Sequence, residues 1–203
     1  MANELQRIIS AFIQFLFVII LPYIWWFVTV RGKVPFMEWI GLKAVKRVKT
    51  LQLILWIIGG FLLFTAFSIF IFPLTRSIET ATSFFSDMGL KALPSILIYS
   101  FLQTSLPEEL LFRGFLLKRM ANHMPFVFAN TIQAFAFGLL HGVFFASVVS
   151  LDVTFFIIFF TGAIAAYLGF INEKKAGGSI LTSWIIHALA NIFSGIVAAF
   201  SLF

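Results

Sequence analysis

Six long apolar segments dominate this sequence, and each is long enough to cross a membrane. A helix needs about 20 apolar residues to span the hydrocarbon core of a bilayer. Because 61% of the 203 residues are hydrophobic and only 11% are charged, a sizeable water-soluble domain is excluded. The pattern predicts an all-α polytopic membrane protein, a bundle of about six transmembrane helices. The predicted spans are Ile8–Val30, Leu51–Leu74, Leu93–Leu117, Pro125–Phe145, Val153–Ile171 and Ser179–Phe203.

The basic residues alternate with these spans. One set of loops carries ten of them, and the opposite set carries only Arg7, Arg76 and Lys91. By the positive-inside rule the basic loops are cytoplasmic, so both termini are predicted outside, in a bacterial inner (plasma) membrane protein. The ten are Arg31, Lys33, Lys43, Lys46, Arg47, Lys49, Lys118, Arg119, Lys174 and Lys175.

The distribution of these charges also indicates the partners. Basic residues confined to short loops exclude a nucleic-acid partner and favour contact with membrane lipid. Phe36–Lys49 is predicted to be a basic amphipathic helix on the inner leaflet. Because the sequence has no internal repeat or long linker, we expect one transmembrane domain, residues 1–203, with the motif-bearing core in residues 93–203.

The third span contains the acidic motif Glu108-Glu109, followed by Arg113. Glu109 and Arg113 are four residues apart on one helical face, where their charges can neutralise each other. Glu108 is turned away by about 100° and has no local cation, so it is a candidate general base or acid. The alternative is that both glutamates simply brace Arg113. Pro107 and the Ser105-to-Glu108 spacing predict a break in this helix.

Two further pairs lie in later spans. Phe137 and His141 share a face of the fourth span, and His187 and Asn191 share a face of the sixth. Ionisable side chains within a bilayer usually face a partner, a cavity or a reaction, although each pair could also serve only in packing. We expect Glu108, His141 and His187 to converge within about 4–8 Å, around a polar cavity that opens towards the cytoplasm.

The ordered set of motifs Glu108-Glu109-x-x-x-Arg113, Phe137-x-x-x-His141 and His187-x-x-x-Asn191 resembles the CPBP family. This is the family of CAAX-processing and bacteriocin-processing intramembrane endopeptidases, also called Abi. Every fixed position of the three motifs matches, whereas the first two spans carry no motif. The chain is shorter than the CAAX-processing members, with six spans instead of about eight. Its loop charges are typical of a bacterial inner membrane protein. Because bacteria do not generally prenylate proteins, we do not expect a prenylated substrate.

The resemblance implies an endopeptidase that cuts a membrane-associated or membrane-delivered peptide or protein. In it Glu108 would activate water, His141 and His187 would complete the site, and Asn191 would stabilise the oxyanion. Glu109, Arg113 and Phe137 would be structural support.

The need for a metal stays open at this point. Glu108, His141 and His187 could hold one zinc ion, as in a metalloprotease. The favoured mechanism is glutamate-type and requires no cofactor, because each polar residue then has a role of its own. With no cysteine, a thiolate metal site and a cysteine nucleophile are both excluded.

Two other functions compete with proteolysis. The first is a non-catalytic interaction protein that confers bacteriocin self-immunity. The second is a proton-coupled transporter, which should show inverted repeats that this sequence lacks.

Overall fold

The computed structural model describes residues 2–45, 48–75 and 78–202, apart from the side chains of residues 2–4 and 7. Within these residues it contains helices and no strands, which confirms the all-α prediction. Six long helices form a bundle, with a short helix, α2, and two single 3₁₀ turns, Ser83–Phe85 and Gly89–Ala92, between them. The helices are α1 (Ala2–Thr29), α2 (Phe36–Ile40), α3 (Thr50–Thr75), α4 (residues 93–121), α5 (Phe126–Phe145), α6 (Leu151–Lys175) and α7 (Leu181–Ala199).

Five of the six long helices are apolar and long enough to cross a membrane, and α4 is the exception because it contains the acidic motif. All six coincide with the predicted spans to within a few residues at most ends. The largest differences are at the termini of the chain and in α4 and α6, which each run four residues past their predicted ends, to Ala121 and Lys175. The chain is therefore a multi-pass membrane protein.

The basic segment after α1 is not one amphipathic helix. Helix α2 covers only Phe36–Ile40 and ends at Gly41, whose φ of 91° is a left-handed conformation that glycine adopts without strain. Residues 42–45 are not helical, and Lys46 and Arg47 lie outside the described residues. The prediction of a helix over Phe36–Lys49 is wrong, because it rested on composition and did not account for this helix-terminating glycine.

Helix α4 passes through Pro107 without a break. Ser105 has helical backbone angles and does not cap Glu108, so the predicted capping box is absent. The helix widens instead into π-helical turns over Tyr99–Ser105 and Glu109–Leu117. In the first, the Thr104 hydroxyl donates a hydrogen bond of 3.0 Å to the Tyr99 carbonyl, five residues back. Such wide turns are common at functional sites and accommodate the missing N–H of proline without ending the helix.

Close packing of α5 against α6 fixes the position of His141. A Cβ on Gly138 would lie 2.3 Å from the Ile158 carbonyl oxygen, and one on Gly142 would lie 2.2 Å from the Ile158 side chain. Only glycine allows this approach, and small residues are the usual means by which membrane helices pack closely.

The two ends of the bundle differ in charge. The loops that carry the basic residues pack together at one end, here called the basic end: Ile180 N–H donates to the Gly41 carbonyl at 2.9 Å, and the Ser179 hydroxyl donates to the Lys43 carbonyl at 2.6 Å. The opposite end, called the distal end, is formed by residues 78–92, 146–150 and 200–202. There the Ser201 hydroxyl donates to the Asp87 carboxylate at 2.7 Å. Arg76 lies outside the described residues, as does the side chain of Arg7.

Candidate active site

The predicted site residues line one cavity inside the bundle. Glu108 reaches it from α4, His141 from α5, and His187 and Asn191 from α7. The cavity has a volume of about 900 Å³, which is large enough for several side chains of a bound polypeptide. The structure therefore brings together the four side chains that the resemblance assigns to catalysis.

His187 lies between the two glutamates of α4. Its Nδ1 is 3.0 Å from Glu109 Oε1, and its Nε2 is 3.7 Å from Glu108 Oε2. The first contact is a hydrogen bond, and the second is slightly longer than one. An Nδ1–H that donates to a buried carboxylate fixes the ring orientation and the tautomer, as the aspartate does in a catalytic triad.

Glu108 differs from Glu109 in its exposure. Its side chain is 25% exposed, whereas that of Glu109 is fully buried. The Glu108 Oε2 atom is itself buried, yet it has no hydrogen-bond partner among the described residues. A buried carboxylate oxygen without a hydrogen-bond partner is costly, so we expect it to pair electrostatically with His187 Nε2, while the exposed part of the Glu108 side chain contacts water in the cavity.

Glu109 is the centre of a fully buried polar network. Its Oε1 lies 3.1 Å from Arg113 Nη1, which confirms the predicted pairing of these two charges. This contact is a purely electrostatic one, because the guanidinium N–H groups do not point along the line of a hydrogen bond. Its Oε2 accepts a hydrogen bond from the Ser183 hydroxyl. Glu109 thus positions His187, a role beyond the support of Arg113 that the sequence predicted.

Ser183 and Asn172 are members of this network that the sequence analysis missed. The Asn172 side-chain amide donates to Ser183 Oγ at 2.7 Å, and both residues are fully buried. Ser183 lies four residues before His187, so it extends the face of His187 and Asn191 by one turn, and this spacing could have identified it. No comparable local signal marks Asn172, because it reaches the network from the end of α6.

His141 is oriented by its own helix. Its Nδ1 lies 2.9 Å from the Phe137 carbonyl oxygen, so this nitrogen carries the proton and donates. The Nε2 atom is then left as an acceptor. His141 lies near enough to Glu108 and His187 for their charges to interact.

The Phe137 ring lies between the cavity and the buried pair of Glu109 and Arg113. Its ring lies under the Arg113 guanidinium, with 4.3 Å from Cζ to the ring centroid. The same ring lies 4.4 Å from the His141 ring and 6.2 Å from the His187 ring, between centroids. Phe137 therefore contacts both histidines and provides a cation–π partner for Arg113.

Asn191 has different partners from those that the oxyanion role requires. Its amide nitrogen donates to Thr104 Oγ1 at 2.8 Å and to Ser105 Oγ at 3.1 Å. Both N–H groups are used, so in this arrangement Asn191 connects α7 to the π-helical turn of α4. It still lines the cavity, but neither N–H is free to donate to an oxyanion.

The cavity extends to the distal end of the bundle. The residues that line it towards solvent are Ile78, Glu79, Thr80, Ala81, Thr82, Ser83, Ser86, Asp87, Val148 and Ser201. The expectation that it opens on the side of the basic loops is wrong. The reason lies in tertiary packing: on the basic side, a buried apolar cluster of Trp39, Ile40, Leu110, Phe115 and Ile180 fills the bundle.

The side chains do not form a metal centre. Among the described residues, no three His, Asp or Glu side chains are grouped closely enough to hold a metal ion. The Nδ1–H groups of His141 and His187 donate to the Phe137 carbonyl and to Glu109, so the lone pair of each ring is on Nε2. Because Glu108, His141 and His187 are not grouped around one point, their arrangement here does not fit a zinc ion.

Replacing Ser183 with alanine is expected to lower the free energy of unfolding by about 1–3 kcal/mol, because Glu109 and Asn172 would each lose a buried hydrogen-bond partner. Thermal melting of the protein in detergent measures this change. The matched control is Ser194→Ala, on the same helix, whose hydroxyl donates only to the Ala190 carbonyl one turn earlier. Equal melting temperatures for the two variants would contradict the assignment of Ser183 to the network.

Comparison with known protein families finds a match. Residues 90–193, just over half of the chain, match the family described as Type II CAAX prenyl endopeptidase Rce1-like. The matched region includes α4, α5, α6 and most of α7, and therefore all three motifs. No curated protein and no solved structure matches the chain.

Proposed function

This chain belongs to the family of Rce1-like type II CAAX prenyl endopeptidases, and we propose that it is an intramembrane endopeptidase whose general base is Glu108. The observation that carries this proposal is the position of the Glu108 carboxylate, which is 25% exposed, lines the cavity and lies 3.7 Å from His187 Nε2. A carboxylate in this position can accept a proton from a water that enters the cavity beside it.

The reaction begins with this water. Glu108 removes a proton from it, and the water oxygen attacks the carbonyl carbon of the peptide bond. His141, with Nδ1 held by the Phe137 carbonyl, offers Nε2 as a second acceptor that orients the water. The tetrahedral intermediate then collapses: the C–N bond breaks, and Glu108 returns its proton to the departing nitrogen. The products are a carboxylic acid and an amine, and the acid then loses its remaining proton to become a carboxylate.

We assign the stabilisation of the oxyanion to His187. Its Nδ1–H is held by Glu109, which directs Nε2 towards Glu108. When Nε2 also carries a proton, that N–H can donate to the oxyanion. Asn191 would have to release Thr104 or Ser105 to donate there, so its proposed role is to hold α7 against α4. This differs from the role that the resemblance implied.

The cleaved substrate is identified by comparing new protein N-termini in membranes from cells that express the wild-type chain or Glu108→Gln. N-termini that appear only with the wild type mark cleavage sites. An identical set in both samples would favour the non-catalytic interaction protein.

Removal of metal is expected to leave the reaction intact. Purified protein should contain much less than one zinc ion per chain, and processing should continue in the presence of a chelator, because the proposed mechanism uses only side chains. Elemental analysis together with a chelator titration provides the measurement. One tightly held zinc per chain, with activity lost on its removal, would instead assign Glu108, His141 and His187 as ligands.

A further inference from the structure

The direction in which the cavity opens identifies the side of the membrane from which the substrate comes. Glu108 lies in the middle of α4, and the described residues that line its cavity continue from there towards the distal end. Among the described residues that line it, none belongs to the loops of the basic end, and none is a lysine or an arginine.

The basic end is closed by packing. Ile40, Leu110 and Ile180 are fully buried there, beside Trp39 and Phe115. Helix α2 lies so close to α4 that a Cβ on Gly114 would be 2.6 Å from the Ile40 carbonyl oxygen. At this end Lys118 also forms an ion pair with Glu173, at 2.5 Å, and donates a hydrogen bond to the Gly178 carbonyl. These two contacts connect α4 to the end of α6 and to the loop that follows it. Among the described residues, these contacts leave no opening of the cavity at the basic end.

The distal end has the opposite character. Its lining contains the hydroxyl groups of Thr80, Thr82 and Ser83 and the carboxylates of Glu79 and Asp87. Hydroxyl groups can donate and accept hydrogen bonds, so they can pair with the main chain of an extended peptide. The polar opening therefore suits a polypeptide segment, whereas the deeper wall, with Phe64, Ile71 and Leu168, suits apolar side chains.

The charge asymmetry then orients this opening. Basic loops stay on the cytoplasmic side of a membrane, and ten of the fourteen lysines and arginines are in the segments of the basic end. We propose that the cavity opens on the extracytoplasmic face, and that the substrate is a polypeptide segment presented from that side: a secreted or surface-anchored chain. This proposal rests on the proposed endopeptidase function, whose site it shares.

Single cysteines test the proposal directly, since the chain has none of its own. Ser86→Cys reports on the exposed opening, and Ser194→Cys reports on the cavity wall near Asn191. Lys33→Cys, exposed at the basic end, is the matched control. A small, charged methanethiosulfonate that does not cross membranes is applied to intact cells, or to spheroplasts where an outer membrane is present, and to inside-out vesicles.

The Ser86 and Ser194 variants are expected to be modified from the outside, and Lys33→Cys only in the inside-out vesicles. Modification of Lys33→Cys on intact cells would overturn the proposed orientation. Modification of Ser194→Cys only in inside-out vesicles, or in neither preparation, would overturn the proposed opening. If Ser194→Cys does not accumulate, Thr161→Cys on the α6 wall of the same cavity replaces it.

This labelling does not depend on proteolysis. A protein that is labelled as expected but cleaves nothing would refute the endopeptidase function alone. A protein that cleaves its substrate but is labelled at Ser194→Cys from the cytoplasmic side would refute only the orientation.

Discussion

Glu108→Gln is expected to lower the rate of processing by about 10²–10⁴-fold, the usual contribution of a general base, while the protein stays folded. Glutamine nearly preserves the volume of the side chain but accepts a proton far less readily. Glu108 is not part of the buried network of Glu109, so its replacement leaves the pairing with Arg113 and the hydrogen bond from Ser183 in place. The rate is measured on a substrate found by the comparison of N-termini.

Glu38→Gln provides the matched control, because it makes the same chemical change at an exposed position of the basic end. It should process the substrate at the wild-type rate, and both variants should melt at nearly the wild-type temperature. A Glu108→Gln protein with full activity would contradict the assignment of the base and would favour the non-catalytic interaction protein.

Arg113→Ala is expected to cause the largest loss of stability, about 3–5 kcal/mol, as is typical when one member of a buried ion pair is removed. The variant would leave the fully buried Glu109 carboxylate without its cation and would remove the group that lies over the Phe137 ring. We expect poor accumulation in membranes and a clearly lower melting temperature in detergent. Normal accumulation with an unchanged melting temperature would show that the pair contributes nothing.

Two further variants separate charge from packing at this position. Lys33→Ala removes an exposed cation at the basic end and should leave the melting temperature unchanged. Arg113→Lys keeps the positive charge near Glu109 but loses the planar group over Phe137, so its stability is expected to lie between those of wild type and Arg113→Ala. Stability equal to that of the wild type would mean that the contact with Phe137 adds nothing to the charge pairing.

The sequence by itself determined the number of long helices, their approximate ends and the distribution of charge between the two ends of the bundle. It also determined the pairing of Glu109 with Arg113 and the helical faces shared by Phe137 with His141 and by His187 with Asn191. These features depend on local rules: about 20 apolar residues cross a bilayer, and residues four apart lie on one face of a helix. These rules apply within a single helix and do not depend on its contacts with other helices.

Only the tertiary structure decided which atoms meet across helices. It directed His187 towards Glu109 as well as Glu108, added Ser183 and Asn172 to the buried network, and used the amide of Asn191 to connect two helices. It also kept α4 continuous at Pro107 and opened the cavity at the distal end. These outcomes depend on how closely neighbouring helices approach and how they are rotated. Contacts between residues far apart in the chain set both quantities, and the spacing of residues along one helix carries no information about them.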